Sequence, residues 1–172
     1  MGWFYGVKNR VAVQLYKHLP WLAARWARTH RFVEGQGIPW TPLQKPLAET
    51  VIALVTTAGV HLKTQPRFDM DDPQGDPSFR VIPSDIGKDA LTITHKYYDH
   101  SAADRDINVV LPLDRLRELK GEGLIGGIAP FVYSCMGHID GLHLQTFITE
   151  TAPEVACRLK RDGAEGVFLT PA

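Results

Sequence analysis

The 172-residue chain has only two cysteines, Cys135 and Cys157. Two are too few for the disulfide framework of a small secreted domain, so reduced thiols and a cytoplasmic location are expected. Net charge is also lacking, because 19 Lys and Arg balance 19 Asp and Glu. That balance excludes a global electrostatic drive toward nucleic acid or acidic lipid. No apolar run approaches the ~20 residues of a membrane-spanning helix. The first residues, interrupted by Lys8, Arg10 and Lys17, do not compose a signal peptide. Generic catalytic signatures are missing too. Gly121, Gly123, Gly126 and Gly127 form neither a phosphate loop nor a dinucleotide fingerprint. There is no Gly-x-Ser-x-Gly elbow. No Cys-x-x-Cys or His-x-x-x-His pair occurs, so no metal site is expected and a metal-dependent hydrolase is disfavoured.

What is present suits one globular domain: 44% hydrophobic and 22% charged residues. Residues 1–34 carry Lys8, Arg10, Lys17, Arg25, Arg28 and Arg31 against Glu34 alone, together with Trp3, Trp21 and Trp26. Val7, Val11 and Leu15 recur at helical spacing, as do Leu22 and Trp26. This predicts a basic, amphipathic helical extension of two short helices, divided at Pro20. It packs on the domain or on a partner subunit. Membrane-surface association of residues 1–30 is the alternative. Residues 35–48, with Gly35, Gly37, Pro39, Pro42 and Pro46, read as a linker. Residues 49–172 read as the folded domain.

Within that domain strands alternate with helices. Val51–Thr56 is a short β-branched run suited to a strand buried on both faces. Leu91–Thr94, a piece of 125–133 and Val167–Leu169 read as further strands, and Asn108–Leu111 either extends the sheet or leads into a helix. Leu113, Leu116 and Leu119 describe an amphipathic helix stopped at Gly121 and Gly123, and a second helix runs from Pro153 to Gly163. The expectation is an α/β fold: a mainly parallel, Rossmann-like sheet with flanking helices, plus the N-terminal helical extension.

Ligands of parallel sheets bind beyond the strands' carboxyl ends. The polar residues past three of the expected strands are His61, then His95, Tyr98 and Asp99, then Cys135 and His138. Each is either a site residue or an ordinary loop or core residue, since polar side chains collect in loops anyway. Asp99 is placed to orient an imidazole, and His95 is a candidate for moving a proton. Cys135 needs a lowered pKa to act as a nucleophile, and nothing in the sequence supplies one. Asp106 and Asn108 either organise the pocket or cap a turn.

More specific wording comes from linked segments. Ala53–His61 is followed by Arg67-Phe68, Phe79–Pro83, His95, Tyr98-Asp99, Asp106–Asn108, Pro112–Leu119 and Ala129-Pro130. Over about residues 48–172 this order resembles the selenoprotein B family of the glycine, sarcosine, betaine and D-proline reductases, most of all the selenocysteine-containing small subunits of the D-proline reductases. The resemblance implies reductive cleavage of a carbon–nitrogen bond in a small amino acid or amine. A selenolate, or a thiolate in relatives, attacks the α-carbon, and a thiol reductant regenerates it. No cofactor is expected to be bound to this chain. The implied partner is another reductase subunit, which in D-proline reductase carries a pyruvoyl group. His61, His95, Tyr98 and Asp99 become the candidate catalytic residues, and Asp106, Asn108, Cys135 and His138 the candidate substrate-binding ones. In the family the redox residue follows the strand matched by Gly166–Ala172. The nucleophile is therefore expected just after Ala172, either behind a selenocysteine codon read as a stop or absent from a true short form. The alternative is a non-catalytic binding or assembly module that retains the fold.

Overall fold

The computed structural model describes residues 11, 15, 17–29, 37 and 40–172. The chain divides into two units, residues 1–42 and 43–172. In the first, helix α1 (Pro20–Thr29) starts on Pro20, where a missing N–H leaves no bond unmade, and carries Arg28 in its last turn. The helix expected around Val7–Leu15 lies mostly outside the described residues. Among the described residues no helix is long and apolar enough to cross a membrane.

The second unit is built on β1 (Val51–Thr56), which forms where expected. It pairs in parallel with β5 (Gly127–Ile128) and β6 (Phe131–Ser134) on one side and with β7 (Gly166–Thr170) on the other. β5 and β6 are one expected strand, interrupted at Ala129-Pro130, where proline has no N–H for the ladder. The outer neighbour of β6 is β3 (Arg80–Pro83), and it runs antiparallel. The sheet is therefore mixed, with three parallel pairings and one antiparallel edge.

Side-chain alternation along β1 sends Leu54 into one core and Ala53 into the other. The Leu54 core is closed by Leu113 and Leu116 of α3 (Leu113–Gly121). The Ala53 core is closed by Val155 and Leu159 of α5 (Ala152–Arg161). Helices thus cover both faces. α5 continues without a break from α4 (Gly141–Thr146) through a π-helical stretch at Phe147–Thr151. Among the described residues no strand pairs with the outer edge of β7, and Val167, Phe168 and Leu169 are 45%, 50% and 68% exposed.

Two expectations are corrected. Leu91–Thr94 is not a strand of the main sheet. β4 (Leu91–Ile93) pairs antiparallel with a strand the sequence reading missed, β2 (Val60–Leu62), in a separate two-stranded ribbon. Asn108–Leu111 does not extend the sheet. A 3-10 turn at Ile107–Val109 leads into α3 instead.

Candidate functional site

The carboxyl ends of β1, β6 and β7 meet at one place. Past β1, the Thr57 N–H donates to the Thr170 carbonyl (3.1 Å) and the Thr57 hydroxyl accepts from the Ala172 N–H (3.0 Å). Past β6, Gly137 lies against the end of the β7 segment so closely that a Cβ there would fall 2.3 Å from the Ala172 carbonyl oxygen. Glycine is therefore required by close approach rather than by its dihedral angles.

The segment after β4 docks onto the same strand exit. Gly59, at φ +68°, turns the chain out of β1 while its carbonyl accepts from the Thr94 N–H (2.9 Å). The Tyr98 hydroxyl donates to the Ala58 carbonyl (3.2 Å). The Tyr98 ring meets the His95 ring edge-on, with centroids 4.7 Å apart. Burial, with the Asp104 charge nearby, pushes the Tyr98 phenol up to about 12. Tyr97 meets His95 edge-on at 5.8 Å and stacks on His138 at 3.8 Å, which ties the β4 exit to the β6 exit. Tyr97 was not singled out from sequence. The only signal there is its place in a His-x-Tyr-Tyr run.

His95 is the most constrained member of this group. It is 7% exposed, and its Nδ1 accepts from the Tyr97 N–H (3.2 Å). Its Nε2 is buried without a partner. Burial, then the nearby His138 and His100, push the imidazole down to about 4, so it is neutral near pH 7. With Nδ1 accepting, the ring proton sits on Nε2.

The other candidates separate from it. His61 is a strand residue rather than a loop residue, 1% exposed and bonded at both nitrogens. Its Nδ1–H donates to the Leu62 carbonyl and its Nε2 accepts from the Thr94 hydroxyl, both at 2.8 Å. It ties β2 to β4. Asp99 accepts from the Ser101 N–H (3.1 Å) at the start of helix α2 (Ser101–Arg105). Carboxylate–imidazole pairs form at His100–Asp104 (2.8 Å) and His143–Asp72 (3.0 Å). Asp106 caps the turn into Asn108, accepting from its N–H and side-chain amide. Asn108 in turn holds Asp114 from both sides. Of the two readings left open for this pair, capping is the one the bonding describes. Among the described residues no group of three or more His, Cys, Asp or Glu is placed to hold a metal ion.

Cys135 shares the β6 exit, but its charged neighbours are Arg80 and Asp76. It is 2% exposed, and burial pushes its thiol up to about 12 despite the Arg80 guanidinium. A thiol this poor in thiolate is a packing residue at neutral pH. Iodoacetamide is expected to label the exposed Cys157, and Cys135 of the folded chain more slowly by on the order of 100-fold. Peptide mapping of the alkylated protein checks this. Equal labelling of the two would contradict the packing of Cys135.

The glycine/sarcosine/betaine reductase selenoprotein B family model matches residues 29–172. The chain is 42% identical to D-proline reductase subunit gamma of Acetoanaerobium sticklandii over 131 residues, which are 76% of this chain and 52% of that one. It is 34% identical over 140 residues to betaine reductase complex component B subunit beta of Peptoclostridium acidaminophilum, covering 73% and 29% of the two chains. It is 30% identical over 138 residues to glycine reductase complex component B subunit gamma of Carboxydothermus hydrogenoformans, covering 77% and 30%. The chain thus spans about half the length of the first of these relatives and under a third of the others. No solved structure matches. The match takes in every strand of the sheet and the whole His95–His138 cluster, and the chain belongs to the glycine/sarcosine/betaine reductase selenoprotein B family.

Proposed function

We propose that this chain is part of a thiol-dependent reductase subunit that cleaves a carbon–nitrogen bond in a small amino acid or amine of the D-proline or glycine-derivative type. Its selenolate or thiolate follows Ala172. The observation that carries this reading is the convergence at the strand exits. The β7 end lies on Gly137 and Thr57, so the next residues emerge beside Ala58 and His138. Those residues support the Tyr98 and Tyr97 rings around His95. A nucleophile there would stand next to a largely aromatic wall in which His95 is buried and Tyr97, Tyr98 and His138 are half-buried. Such a wall excludes water from the reacting carbon and leaves polar contacts to a few groups.

The chain's own residues divide the work by their bonding. His61, Asp106 and Asn108 hold the frame, Cys135 packs, and His95, Tyr97, Tyr98 and His138 face the reacting region. The two electrons of the cleavage come from a thiol reductant. The amine is activated by a carbonyl group, such as a pyruvoyl, on a partner subunit. No cofactor is bound by this chain itself. The exposed β7 edge gives such a partner a surface to cover.

The test compares the 172-residue chain with the gene product extended past the Ala172 codon. Each is assayed with dithiothreitol, D-proline and the co-expressed partner subunit. The extended form is expected to turn over, and the 172-residue form to be inactive. Turnover by the shorter form would contradict the placement of the nucleophile. Inactivity of both, with glycine betaine and sarcosine also tried, would contradict the reductase reading.

A further inference from the structure

The buried Nε2–H of His95 is a donor without an acceptor. The Tyr97 N–H occupies Nδ1, so the ring cannot satisfy itself by exchanging tautomers. Leaving a buried donor unpaired is costly, and native interiors rarely do so. Tyr97 and Tyr98 flank the ring edge-on, and neither supplies the missing acceptor. No described residue supplies that acceptor, so a ligand can.

The surroundings indicate its charge. Besides burial, the groups that lower the His95 pKa are the imidazoles of His138 and His100. The carboxylates that act on the flanking rings, Asp104 on Tyr98 and Asp72 on Tyr97, are engaged by His100 and His143. The Lys96 ammonium lies 5.7 Å from the centroid of the Tyr97 ring that borders His95. A donor without an acceptor, with a cation over the neighbouring Tyr97 ring and the nearby carboxylates already paired, suits an anion with free lone pairs.

We propose that His95 recognises the carboxylate of a small amino acid, offering Nε2–H to one oxygen with Lys96 as the counter-charge. The Tyr97–His138 stack is the cover that parts to admit it. The stack is a suitable cover because it joins two different loops through ring contact alone. Beside the stack, the His138 ring is anchored by a 3.2 Å bond from Nε2–H to the Pro73 carbonyl. The choice of an amino acid as ligand rests on the reductase reading, and the recognition of a carboxylate does not.

The 172-residue chain, labelled with 15N in histidine, supplies the test through long-range 1H–15N correlation spectra. Without ligand, His95 is expected to show the Nε2–H form. D-proline and acetate are expected to shift the His95 Nε2–H signal saturably, whereas pyrrolidine, which has the ring and the amine without the carboxylate, leaves it unmoved. His95→Ala is expected to weaken D-proline binding by about tenfold or more, as loss of a bond to a charged group does, and His95→Gln, which keeps an N–H donor, to restore part of it. Should His95→Ala fail to fold, the wild-type spectra decide alone. An Nδ1–H tautomer, no shift with any carboxylate, an equal shift with pyrrolidine, or a shift only with a thiolate such as 2-mercaptoethanol at high pH would each overturn the proposal. A carboxylate-dependent shift without turnover of the extended protein would leave this site standing and remove the reductase reading. Turnover without the shift would do the reverse.

Discussion

Replacing Gly59 by Ala is expected to cost at least about 3 kcal/mol of stability. Two independent penalties add at this position. Its φ of +68° lies in the left-handed region, which costs a residue with a Cβ about 1–2 kcal/mol. An added Cβ would also stand 2.5 Å from the Thr94 carbonyl oxygen and 3.2 Å from its carbon. Both are backbone atoms and cannot swing aside as a long side chain would. The bond from the Thr94 N–H to the Gly59 carbonyl must lengthen to relieve the contact, and His95, whose Cβ is 3.4 Å from the same point, moves with it. The damage is therefore to the cluster as well as to the fold. Gly121→Ala is the control. Gly121 sits in α3 with nothing within 4 Å of an added Cβ, and it should be neutral or stabilising by up to about 1 kcal/mol, as glycine-to-alanine changes in helices are. Urea midpoints of the two variants check the pair of expectations. A Gly59→Ala protein as stable as wild type would mean that the β1 exit is not built as described.

That glycine also shows how far the sequence could be read. A glycine just past a β-branched run is a local signal for a turn, and Gly59 makes that turn here. The sequence did not indicate that the chain re-enters a strand at once. β2 has three residues, too few for a period to register, and it is specified by a partner, β4, some thirty residues away. For the same reason His61 read as a loop residue. Its burial depends on Thr94, to which it bonds across the ribbon. β1 was legible because a six-residue β-branched run between polar neighbours is a local signal. α3 was legible because its leucines repeat on one face. The helix at Gly141 was missed because its outer face is largely exposed and Pro153 gave a stronger start signal further on. The structure runs through that proline from a π-helical stretch. Residue type picked out His95, Tyr98 and His138, which the fold brings into one cluster with Tyr97. It could not separate them from Cys135, because one residue along β6 reverses the face of the sheet, and the charged neighbours of Cys135 are Arg80 and Asp76.

Acidification from pH 6.5 to 4 is expected to remove about 3 kcal/mol of stability through His95 alone. In the folded chain this imidazole is pushed down to about 4, first by burial and then by His138 and His100. In the unfolded chain it titrates near 6.5. Between these values the unfolded state binds a proton that the folded state refuses, so stability rises with pH across the window and falls as pH is lowered through it. Above about 6.5 both states are neutral there and the contribution is constant. The carboxylates act lower on the scale. Bonds to Asp72, Asp114 and Glu165 hold these groups below the usual range, so their effect is lost only as pH falls below about 4. The two regimes can therefore be separated. Urea denaturation of wild type at half-unit steps from about pH 7.5 down to about pH 2.5 should give a curve that is flat above about 6.5 and slopes below it. His95→Gln, which cannot titrate, should flatten the 4–6.5 segment and leave the drop below pH 4 in place. A variant that keeps the full wild-type slope would show that the proton is taken up elsewhere. His95 would then not be the neutral buried imidazole on which the carboxylate site depends.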